Sequence, residues 1–377
     1  MGRIREIETE VAIVGAGPAG LSAACEIAKT GKKVAVFDEN GRPGGQLFKQ
    51  IHKFFGSSRH GAGIRGVQIG EKLLEDCEEA GVEIYLNAVV YGIFPEVELG
   101  VLIDGISVRV KTKKVLIATG ATEKALAFKG WDKPGVMGAG AFQTMMNVNY
   151  VLPGQKVVMV GSGNVGLVVA YQILQAGGCV EAVIEAAPTV TGYSVHANKL
   201  KRQGVKILTS HTVKSVLGEF SVEQVEIAEV DDKFQIIEGT EKILDADTVC
   251  VAVGLTPSVE LLKMAGVEMT FLPPMGGFLP LHNEYMETSN PDIYVAGDAS
   301  GIEEASSAIE EGKLSGVCIA GAIGGLTPEE QQNRIQEIKE SLLALRSGKG
   351  GEGRREGNQE IIRRYEKWKK KNQDQLL

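Results

Sequence analysis

Hydrophobic and polar positions follow the same order in two separate stretches of the chain. In the first, the apolar run Val11–Val14 leads into a glycine-rich turn at 15–20, and apolar residues at helical spacing continue up to Gly31. A second apolar run, Val34–Phe37, ends on Asp38. Short all-apolar runs are typical of parallel strands that are buried on both faces. The pattern therefore predicts a strand–helix–strand unit.

The second copy begins with the apolar run 157–160 and the glycine turn 161–166, and its next strand ends on Glu185. Further strands are predicted at 82–90 after the first copy and at 205–208 after the second. A glycine-rich first turn, with an acid about 20 residues on, is the fingerprint of a dinucleotide-binding site. Two copies predict two such sites.

A third apolar run near the end of the chain decides how the domains are connected. Residues 293–298 predict a strand that closes on an acid, and the small residues at 304–322 predict a helix after it. Because the first sheet needs a last strand, we assign this run to the first domain, which makes the second domain an insertion. The predicted fold class is α/β, with two Rossmann-like dinucleotide-binding domains and a helical C-terminal tail. The predicted bounds are 1–120 and 255–325 for the outer domain, 121–254 for the inserted domain and 326–377 for the charged helical tail.

The tail differs in character from the rest of the chain. A helix is predicted to start at Thr327, residues 348–357 predict a flexible linker, and 361–371 predict a basic helix that contains Tyr365 and Trp368. This helix either offers a surface to a partner or packs, as charged helices commonly do, on its own domain or on a neighbouring subunit.

Composition limits the function classes. The chain has 377 residues, 44% of them hydrophobic, which suffices for two cores and a tail, and its net charge of −8 argues against a nucleic-acid surface. Five widely spaced cysteines form neither a disulfide framework nor a metal motif. The charged amino terminus does not resemble a signal peptide, and no apolar run is long enough to span a bilayer, so a cytoplasmic location is expected.

Each glycine in the first turn has a distinct physical role. Gly15 permits the tight turn, Gly17 lets the main chain approach a pyrophosphate, and Gly20 allows close packing of the helix on its strand. The helix amino terminus then faces the phosphates with free N–H groups and the positive end of its dipole. Asp38 is expected to accept hydrogen bonds from ribose hydroxyls.

The acid of the second copy bears on nucleotide selectivity. A carboxylate at Glu185 pairs with a ribose 2′-hydroxyl and repels a 2′-phosphate, and residues 186–188 offer no arginine to neutralise one. NAD(H) is therefore favoured over NADP(H). The alternative is that Glu185 is an ordinary strand-end residue in a domain that no longer binds a nucleotide.

Several motifs together resemble a known family, the flavoprotein oxidoreductases with two dinucleotide domains, which are relatives of thioredoxin reductase and other pyridine nucleotide–disulfide reductases. The resemblance spans about residues 8 to 325. The matching segments are 15–20, 42–46, 118–120, 161–166 and 296–298. It implies FAD in the outer domain, with Gly45 and Gln46 beside the flavin, Val89 near the adenine and Asp298 on the ribitol chain. It also implies that the helix beginning near Ala305 and Ser306 points at the flavin pyrimidine edge.

These arguments give one set of candidate cofactor-binding residues. For FAD and NAD(H) the set is Gly15, Gly17, Pro18, Ala19, Gly20, Asp38, Glu39, Gly45, Gln46, Val89, Ala118, Thr119, Gly120, Gly161, Gly163, Asn164, Val165, Gly166, Glu185, Gly254, Gly297, Asp298, Ala305 and Ser306. No metal ligands are predicted.

One departure from the family is informative. Its disulfide reductases need a pair of nearby cysteines, and the chain has no Cys-x-x-Cys motif. Because no second sulfur lies within sequence reach of a first one, a dithiol–disulfide reaction is not expected.

A narrower resemblance lies at 120–123, 130–132, 134–140 and 143–144. These segments are similar to the FAD/nucleotide-binding subunits of multi-subunit dehydrogenases that act on amines, imino acids and opines, including dye-linked proline dehydrogenase, hydrogen cyanide synthase and the large sarcosine oxidase subunit. The resemblance implies oligomers that contain other oxidoreductase subunits, with a second flavin or an iron–sulfur cluster. Since the chain has no cysteine after Cys318, a cluster of this kind would belong to another chain.

Three functions are therefore compared. In the first, the protein is an electron-transfer subunit in which hydride passes between nicotinamide and flavin, which requires no protein base. In the second, an amine, imino acid or 2-hydroxy substrate reduces the flavin directly and the second nucleotide is structural. The third is a non-enzymatic flavin-binding scaffold.

Candidate substrate contacts for the second function lie in the segment 46–60. Gln46, Lys49 and His52 are the candidates for a catalytic role. The other side chains of this segment are expected either to line a cleft or to be exposed on a loop and a helix. They are Phe48, Phe54, Phe55, Arg59 and His60.

Overall fold

The computed structural model describes residues 5–54, 57–348 and 351–373. The chain divides into two compact units: unit 1 comprises Met1–Thr122 and Thr256–Leu377, and unit 2 comprises Glu123–Leu255. The helices are α1 (Pro18–Ala28), α2 (Gly66–Glu79), α3 (Ala139–Asn147), α4 (Asn164–Gln175), α5 (Ser194–Arg202), α6 (Glu260–Met264), α7 (Ala305–Ala322), α8 (Pro328–Leu345) and α9 (Glu352–Gln373).

The strands are short, and most of them belong to parallel or antiparallel sheets within one unit. They are β1 (Arg5–Glu8), β2 (Val11–Val14), β3 (Val34–Phe37), β4 (Glu83–Tyr85), β5 (Ala88–Phe94), β6 (Glu98–Ile103), β7 (Ile106–Lys111), β8 (Lys114–Ile117), β9 (Ala121–Glu123), β10 (Val136–Gly138), β11 (Lys156–Val160), β12 (Cys179–Glu185), β13 (Lys206–Thr209), β14 (His211–Leu217), β15 (Gln224–Glu229), β16 (Lys242–Asp245), β17 (Thr248–Val251), β18 (Leu255–Pro257), β19 (Met269–Leu272), β20 (Gly277–Pro280) and β21 (Ile293–Val295).

The main sheet of unit 1 has five parallel strands in the order β21-β8-β2-β3-β4. Every residue of β2 and β3 is buried, as the two apolar runs predict. Helices α1 and α7 pack on each other beside this sheet. The strand near the end of the chain therefore pairs with β8, and the chain returns to the first sheet as the sequence predicts.

A second sheet of unit 1 has the order β1-β7-β6-β5. The single strand predicted at 82–90 is wrong: the structure has two strands there, β4 in the parallel sheet and β5 in this second sheet. The break lies at Asn87, whose φ of 49° is left-handed and incompatible with a continuous strand. Asparagine tolerates this conformation, so one apolar stretch serves two sheets.

Unit 2 repeats the parallel arrangement with the strand order β10-β17-β11-β12-β13 and adds an antiparallel sheet of β14, β15 and β16. The predicted strands at 157–160 and 205–208 correspond to β11 and β13. Its core is built from the buried faces of β11, α3 and α4, and includes Phe142, Met159 and Leu167. The α/β class is confirmed in both units.

The C-terminal helices pack on unit 1. Helix α8 begins after Thr327, whose hydroxyl accepts a hydrogen bond from Glu330 N–H while the Glu330 side chain accepts one from Thr327 N–H. In α9, Ile361 is fully buried against Met275 and Leu279. This packing favours the alternative in which the basic helix lies on its own domain.

The linker predicted at 348–357 is wrong for its second half, because α9 already begins at Glu352. Residues 349–350 of that prediction lie outside the described residues. Gly357 faces the Met275 side chain so closely that a Cβ at this position would collide with it. This glycine therefore permits close packing of a helix, which is why a glycine-rich sequence is helical here.

Candidate functional site

The first glycine loop, residues 15–20, joins β2 to α1. Gly15 has a φ of 106°, which is open to glycine alone among common residues, and its N–H donates to Phe37 O at 2.8 Å. A Cβ on Gly20 would overlap the Gly15 carbonyl oxygen. The loop thus wraps tightly over the end of the sheet, and the amino terminus of α1 lies directly after it.

Asp38 holds this loop in place. Its Oδ2 accepts a hydrogen bond from Ala16 N–H at 2.7 Å, and its Oδ1 accepts two bonds from Asn40, both at 2.9 Å. The adjacent Glu39 is exposed, and its carboxylate accepts no hydrogen bond from any residue in the described part of the chain. Asp38 therefore serves the loop, whereas Glu39 is open to an external donor.

The turn at 42–46 docks on the first glycine loop. Gly44 N–H donates to Ala16 O at 2.8 Å, and Gly45 has a φ of 55°. A Cβ on Gly45 would lie 2.8 Å from the Gly17 Cα, closer than side chains approach. Gly17 and Gly45 therefore form a cradle of bare backbone, the kind of surface that a pyrophosphate needs. The residues present fit a dinucleotide.

Asp298 lies in the loop between β21 and α7. Its Oδ1 accepts one hydrogen bond, from Glu303 N–H at 3.2 Å. Burial raises the pKa of Asp298 to about 6, and the hydrogen bond from Glu303 opposes this shift only in part. A carboxylate in this position gains from further donors, such as the hydroxyls of a sugar or polyol. Ala305 and Ser306 lie in the first turn of α7, whose N-cap residue is Glu304.

The C-terminal tail braces the same loop through the tail network, which consists of Arg346, Asn358, Glu303 and Glu311. Arg346 forms ion pairs with both glutamates, and Asn358 donates to Glu303 at 2.6 Å. Glu311 in turn accepts hydrogen bonds from Gly297 N–H and Ser300 Oγ, both at 3.0 Å. Sequence reasoning missed these residues. Their one signal was the presence of paired glutamates, at 303–304 and 310–311, in and beside a helix of small residues.

Other candidates near the first loop have ordinary environments. Thr119 Oγ1 donates to Ser258 O at 2.7 Å, so this hydroxyl holds the outgoing segment in place. Ala118 N–H donates to Val14 O, and Gly120 O accepts from Ser258 N–H. Val89 on β5 is 42% exposed. These residues lie at the carboxyl end of the sheet or beside it, where nucleotides bind in this architecture.

The second glycine loop, residues 161–166, joins β11 to α4. Gly161 has the same φ as Gly15, 106°, and its N–H donates to Ile184 O at 2.7 Å. No atom of the described chain lies within 4 Å of a Cβ built on Gly163. Gly192 N–H donates to Ser162 O at 2.8 Å and Tyr193 N–H donates to the Asn164 side chain. The segment around Gly192 thus parallels the turn at 42–46, a correspondence that the sequence reading missed.

Glu185 is engaged by its own domain. Its carboxylate accepts hydrogen bonds from Ser162 N–H at 2.9 Å, from the hydroxyls of Ser162 and Thr191, and from Ala187 N–H. Burial opposes its ionisation, but these donors outweigh burial and hold the pKa of Glu185 below its usual value. The residue after it is Ala186, where the first unit has Glu39.

The remaining second-unit candidates flank this loop. Val165 is 44% exposed at the start of α4, and Gly254 has a φ of 108°. Pro18 and Ala19 lie at the start of α1, as Asn164 and Val165 lie at the start of α4.

Candidate substrate residues at 46–60 are spread along irregular structure. Gln46 and Arg59 are exposed, Lys49 and His52 are half-buried, and Phe55 lies outside the described residues. His60 is buried, with its Nε2 at 3.1 Å from Ser341 Oγ and 3.3 Å from Glu310. Burial lowers the pKa of His60 although Glu310 raises it.

Two cysteines that are distant in sequence lie together. Cys25 of α1 and Cys77 of α2 are 52 positions apart, and their sulfurs are 2.9 Å apart in a buried contact. The two cysteines are too far apart in the sequence for their spacing to predict this contact. Cys179 is exposed, and Cys250 and Cys318 are buried.

No helix in the described ranges combines the length and the apolar character needed to cross a bilayer. Within those same ranges, no three side chains of His, Cys, Asp or Glu are grouped as a metal would need.

Comparison with known proteins matches residues 9–312 to the family described as pyridine nucleotide-disulphide oxidoreductase. An opine oxidase subunit of Agrobacterium tumefaciens (strain Ach5) is 29% identical over 323 residues, which cover 81% of this chain and 64% of that relative. Hydrogen cyanide synthase subunit HcnB of Pseudomonas aeruginosa is 28% identical over 365 residues, 90% of this chain and 76% of that relative.

Two solved structures are similar. L-proline dehydrogenase from P. horikoshii has a TM-score of 0.67 at 26% identity, over 89% of this chain and 60% of that one. T. acidophilum thioredoxin reductase has a TM-score of 0.68 at 23% identity, over 84% of this chain and 99% of that one, and it shows the fold alone. The chain thus spans less than two thirds of the proline dehydrogenase chain and of the opine oxidase subunit.

These matches confirm the two Rossmann-like domains and the inferred resemblance. FAD and NAD(P) are the cofactors of this group of oxidoreductases. With a model that matches most of its length, the chain belongs to the pyridine nucleotide-disulphide oxidoreductase family.

Proposed function

We propose that the protein is an electron-transfer subunit of an oxidoreductase complex, which binds FAD in unit 1 and NAD(H) in unit 2. The observation that carries the proposal is the pair of glycine loops, each with an unobstructed backbone surface at Gly17 or Gly163. When bound, FAD would supply the hydride acceptor for a reduced nicotinamide and the route for electrons to another acceptor. The subunit names of the relatives support a role within a complex.

Different residues of unit 1 are proposed to bind different parts of FAD. The first glycine loop and α1 bind the pyrophosphate, because free N–H groups and the helix dipole stabilise its charge. Glu39 accepts hydrogen bonds from the adenosine ribose, since Asp38 is already bonded to Ala16 and Asn40. Asp298 accepts from the ribitol hydroxyls, which compensates the unfavourable burial of its charge. Gly45, Gln46 and the start of α7 would hold the flavin ring.

In unit 2, the second glycine loop binds the NAD(H) pyrophosphate. Glu185 is ionised and lies at the carboxyl end of β12, so a 2′-phosphate nearby would meet a negative charge. The negative charge of Glu185 supports NAD(H) over NADP(H). The selection rests more on repulsion of the 2′-phosphate than on hydrogen bonds to the ribose.

The proposed activity is not dithiol reduction. Cys25 lies seven residues after Pro18, which places it roughly 10 Å along α1 from the phosphate-binding end. A disulfide there would lie along α1 away from Gly45, where unit 1 would hold the flavin ring.

Anaerobic mixing with reduced nucleotides tests the proposal. NADH is expected to bleach the flavin absorption band of the purified protein, and NADPH is expected to do so at least about ten-fold more slowly. Gly163→Val serves as the control, because it blocks the second pyrophosphate site and leaves the first intact. If neither nucleotide bleaches the flavin, the NAD(H)-linked role is wrong.

The second candidate is direct reduction of the flavin by an amine, imino acid or opine, with a structural nucleotide in unit 2. The names of the relatives, opine oxidase and L-proline dehydrogenase, favour it, and so does the engagement of Glu185 by its own loop. A panel of opines, N-alkyl amino acids and proline, offered anaerobically without NADH, separates the two. Bleaching by a panel member in the Gly163→Val variant would establish this second function.

A further inference from the structure

We propose that Cys25 and Cys77 form a reversible intrachain disulfide that joins α1 to α2. Their sulfurs lie 2.9 Å apart, roughly 0.9 Å more than the length of a disulfide bond. Both residues belong to the core of unit 1, with exposures of 4% and 0%. Closing the bond therefore needs a small movement of two side chains and no rearrangement of the sheet.

The surroundings of the two sulfurs assign them different roles. Cys77 Sγ lies 3.2 Å from Leu21 O, and Cys25 Sγ lies 3.9 Å from Leu73 O. The contact with Cys77 lowers the pKa of Cys25 although burial opposes this, and the same contact together with burial raises the pKa of Cys77. Cys25 is the more exposed of the two, at 4% against 0%, and the Cys77 thiol donates to the Leu21 carbonyl oxygen, so Cys25 is the attacking sulfur and Cys77 the resolving one.

The oxidant that fits this site is hydrogen peroxide, because it is small enough to reach a sulfur that is only 4% exposed. The Cys25 thiolate attacks one peroxide oxygen, the O–O bond breaks, and hydroxide leaves and takes up a proton to form water. Cys77 sulfur then attacks the resulting sulfenic acid, the S–S bond forms, the S–O bond breaks, and a second water is released. Two thiols and one peroxide thus give one disulfide and two waters.

The bond would link two elements of the flavin-binding unit without entering the cofactor site. Helix α1 carries the first glycine loop at its amino terminus, whereas α2 packs on its side. A cross-link between residues 52 positions apart restricts the unfolded chain and keeps α1 in place. We therefore expect the melting temperature to rise by roughly 5–10 °C on oxidation.

Thiol mapping in a Cys179→Ser background tests the proposal, since this change removes the exposed thiol that would link two molecules. The folded protein is treated with hydrogen peroxide, denatured in the presence of iodoacetamide, which alkylates free thiols, and then digested. The expected product is a peptide pair joined through Cys25 and Cys77, lighter by two hydrogen atoms than the two reduced peptides and separated by dithiothreitol. Cys250 and Cys318, which are buried and free, should remain alkylated and serve as internal controls.

Two variants assign the order of attack. When Cys77→Ser is treated with peroxide and then denatured in dimedone, a reagent for sulfenic acids, the adduct of Cys25 should accumulate, whereas in Cys25→Ser the thiol of Cys77 should stay free. Oxidation of the exposed Cys179 in the parent protein shows that the peroxide treatment was effective. If Cys25 and Cys77 are nevertheless recovered as separate alkylated peptides, the proposal is overturned. Equal dimedone labelling of the two single variants overturns the assignment of roles.

Discussion

The two glycine loops have nearly the same backbone but differ at the acid that follows each second strand. In both, the first glycine has a φ of 106° and the strand-end acid accepts the N–H of the second loop residue, at 2.7 Å in unit 1 and 2.9 Å in unit 2. In unit 1 a second acid, Glu39, follows and is exposed, whereas unit 2 has Ala186. The shared acid therefore shapes the loop, and only unit 1 has a further carboxylate for a ligand.

This difference at the strand-end acids explains how the same loop motif can bind two nucleotides with different strength. Glu185 receives four hydrogen bonds from its own domain, so a ribose hydroxyl would compete with donors that are already in place. Glu39 has no such competitor within the described residues. This difference supports the proposal that unit 1 holds its cofactor tightly and that unit 2 takes a nucleotide that binds and leaves.

The largest effect on nucleotide binding is expected from adding a side chain to each glycine loop in turn. Gly17→Val should weaken FAD binding by at least about 1,000-fold, because the side chain occupies the pyrophosphate surface. Gly163→Val should keep the flavin and lose NADH-dependent bleaching to a similar extent. Flavin content by absorbance and stopped-flow reduction measure the two effects, and each variant controls the other. Loss of flavin in Gly163→Val would contradict the assignment of the loops.

A smaller effect is expected from breaking the tail network, which supports the nucleotide site of unit 1. Arg346→Met leaves the buried carboxylates of Glu303 and Glu311 without their cation and should lower the free energy of unfolding by about 2–4 kcal/mol. Flavin release should accelerate with it. Arg363→Met, the same change at an arginine that is 78% exposed in α9, is the control for urea unfolding. Equal stability of the two variants would refute a bracing role.

Exchanging the acids tests the comparison itself. Glu39→Gln should weaken FAD binding roughly ten-fold, since a hydrogen bond to a charged group is worth about 1.5–3 kcal/mol. Ala186→Glu should strengthen NADH binding several-fold and leave FAD binding unchanged. Fluorescence titration of the apoprotein with FAD and with NADH measures both changes. If neither variant alters nucleotide binding to its own unit, the proposed difference between the two units is wrong.

The smallest effect concerns Asp298 and pH. Its pKa in the folded apoprotein, about 6, is above the ordinary value of 3.8, so the folded state binds its proton more tightly than the unfolded state. The resulting stabilisation is fully present below pH 3.8 and is lost as the pH rises through about 6. Asp298→Asn should therefore raise the stability of the apoprotein at pH 7 by about 1–2 kcal/mol while weakening FAD retention. The exposed Asp132→Asn is the control, and identical pH profiles for both variants would contradict the prediction.

Local backbone requirements made the two βαβ units predictable from the sequence. A turn that needs a positive φ at Gly15 and Gly161 leaves a glycine signature, and buried strands leave apolar runs. The strand break at Asn87 and the helical Gly357 were missed, because each depends on which element packs alongside.

The division of labour between Asp38 and Glu39 was not predictable either. Both are acids at the same strand end, and the hydrogen bonds that Asp38 accepts from Ala16 and Asn40 tell them apart. The Cys25–Cys77 contact and the ion pairs of Arg346 join residues that are distant in sequence. Such contacts depend on the folded topology, and no periodicity or spacing reports them.

Arg346 and Asn358 come after both glycine loops in chain order, yet they hold the loop that carries Asp298. On the ribosome, α1, α4 and even α7 emerge before the residues that brace this loop. The proposed flavin pocket is thus completed last, and a chain that stopped at Ala322 would retain both fingerprints while leaving Glu303 and Glu311 without the cation of Arg346. Cofactor loading would then depend on the final helices having been made.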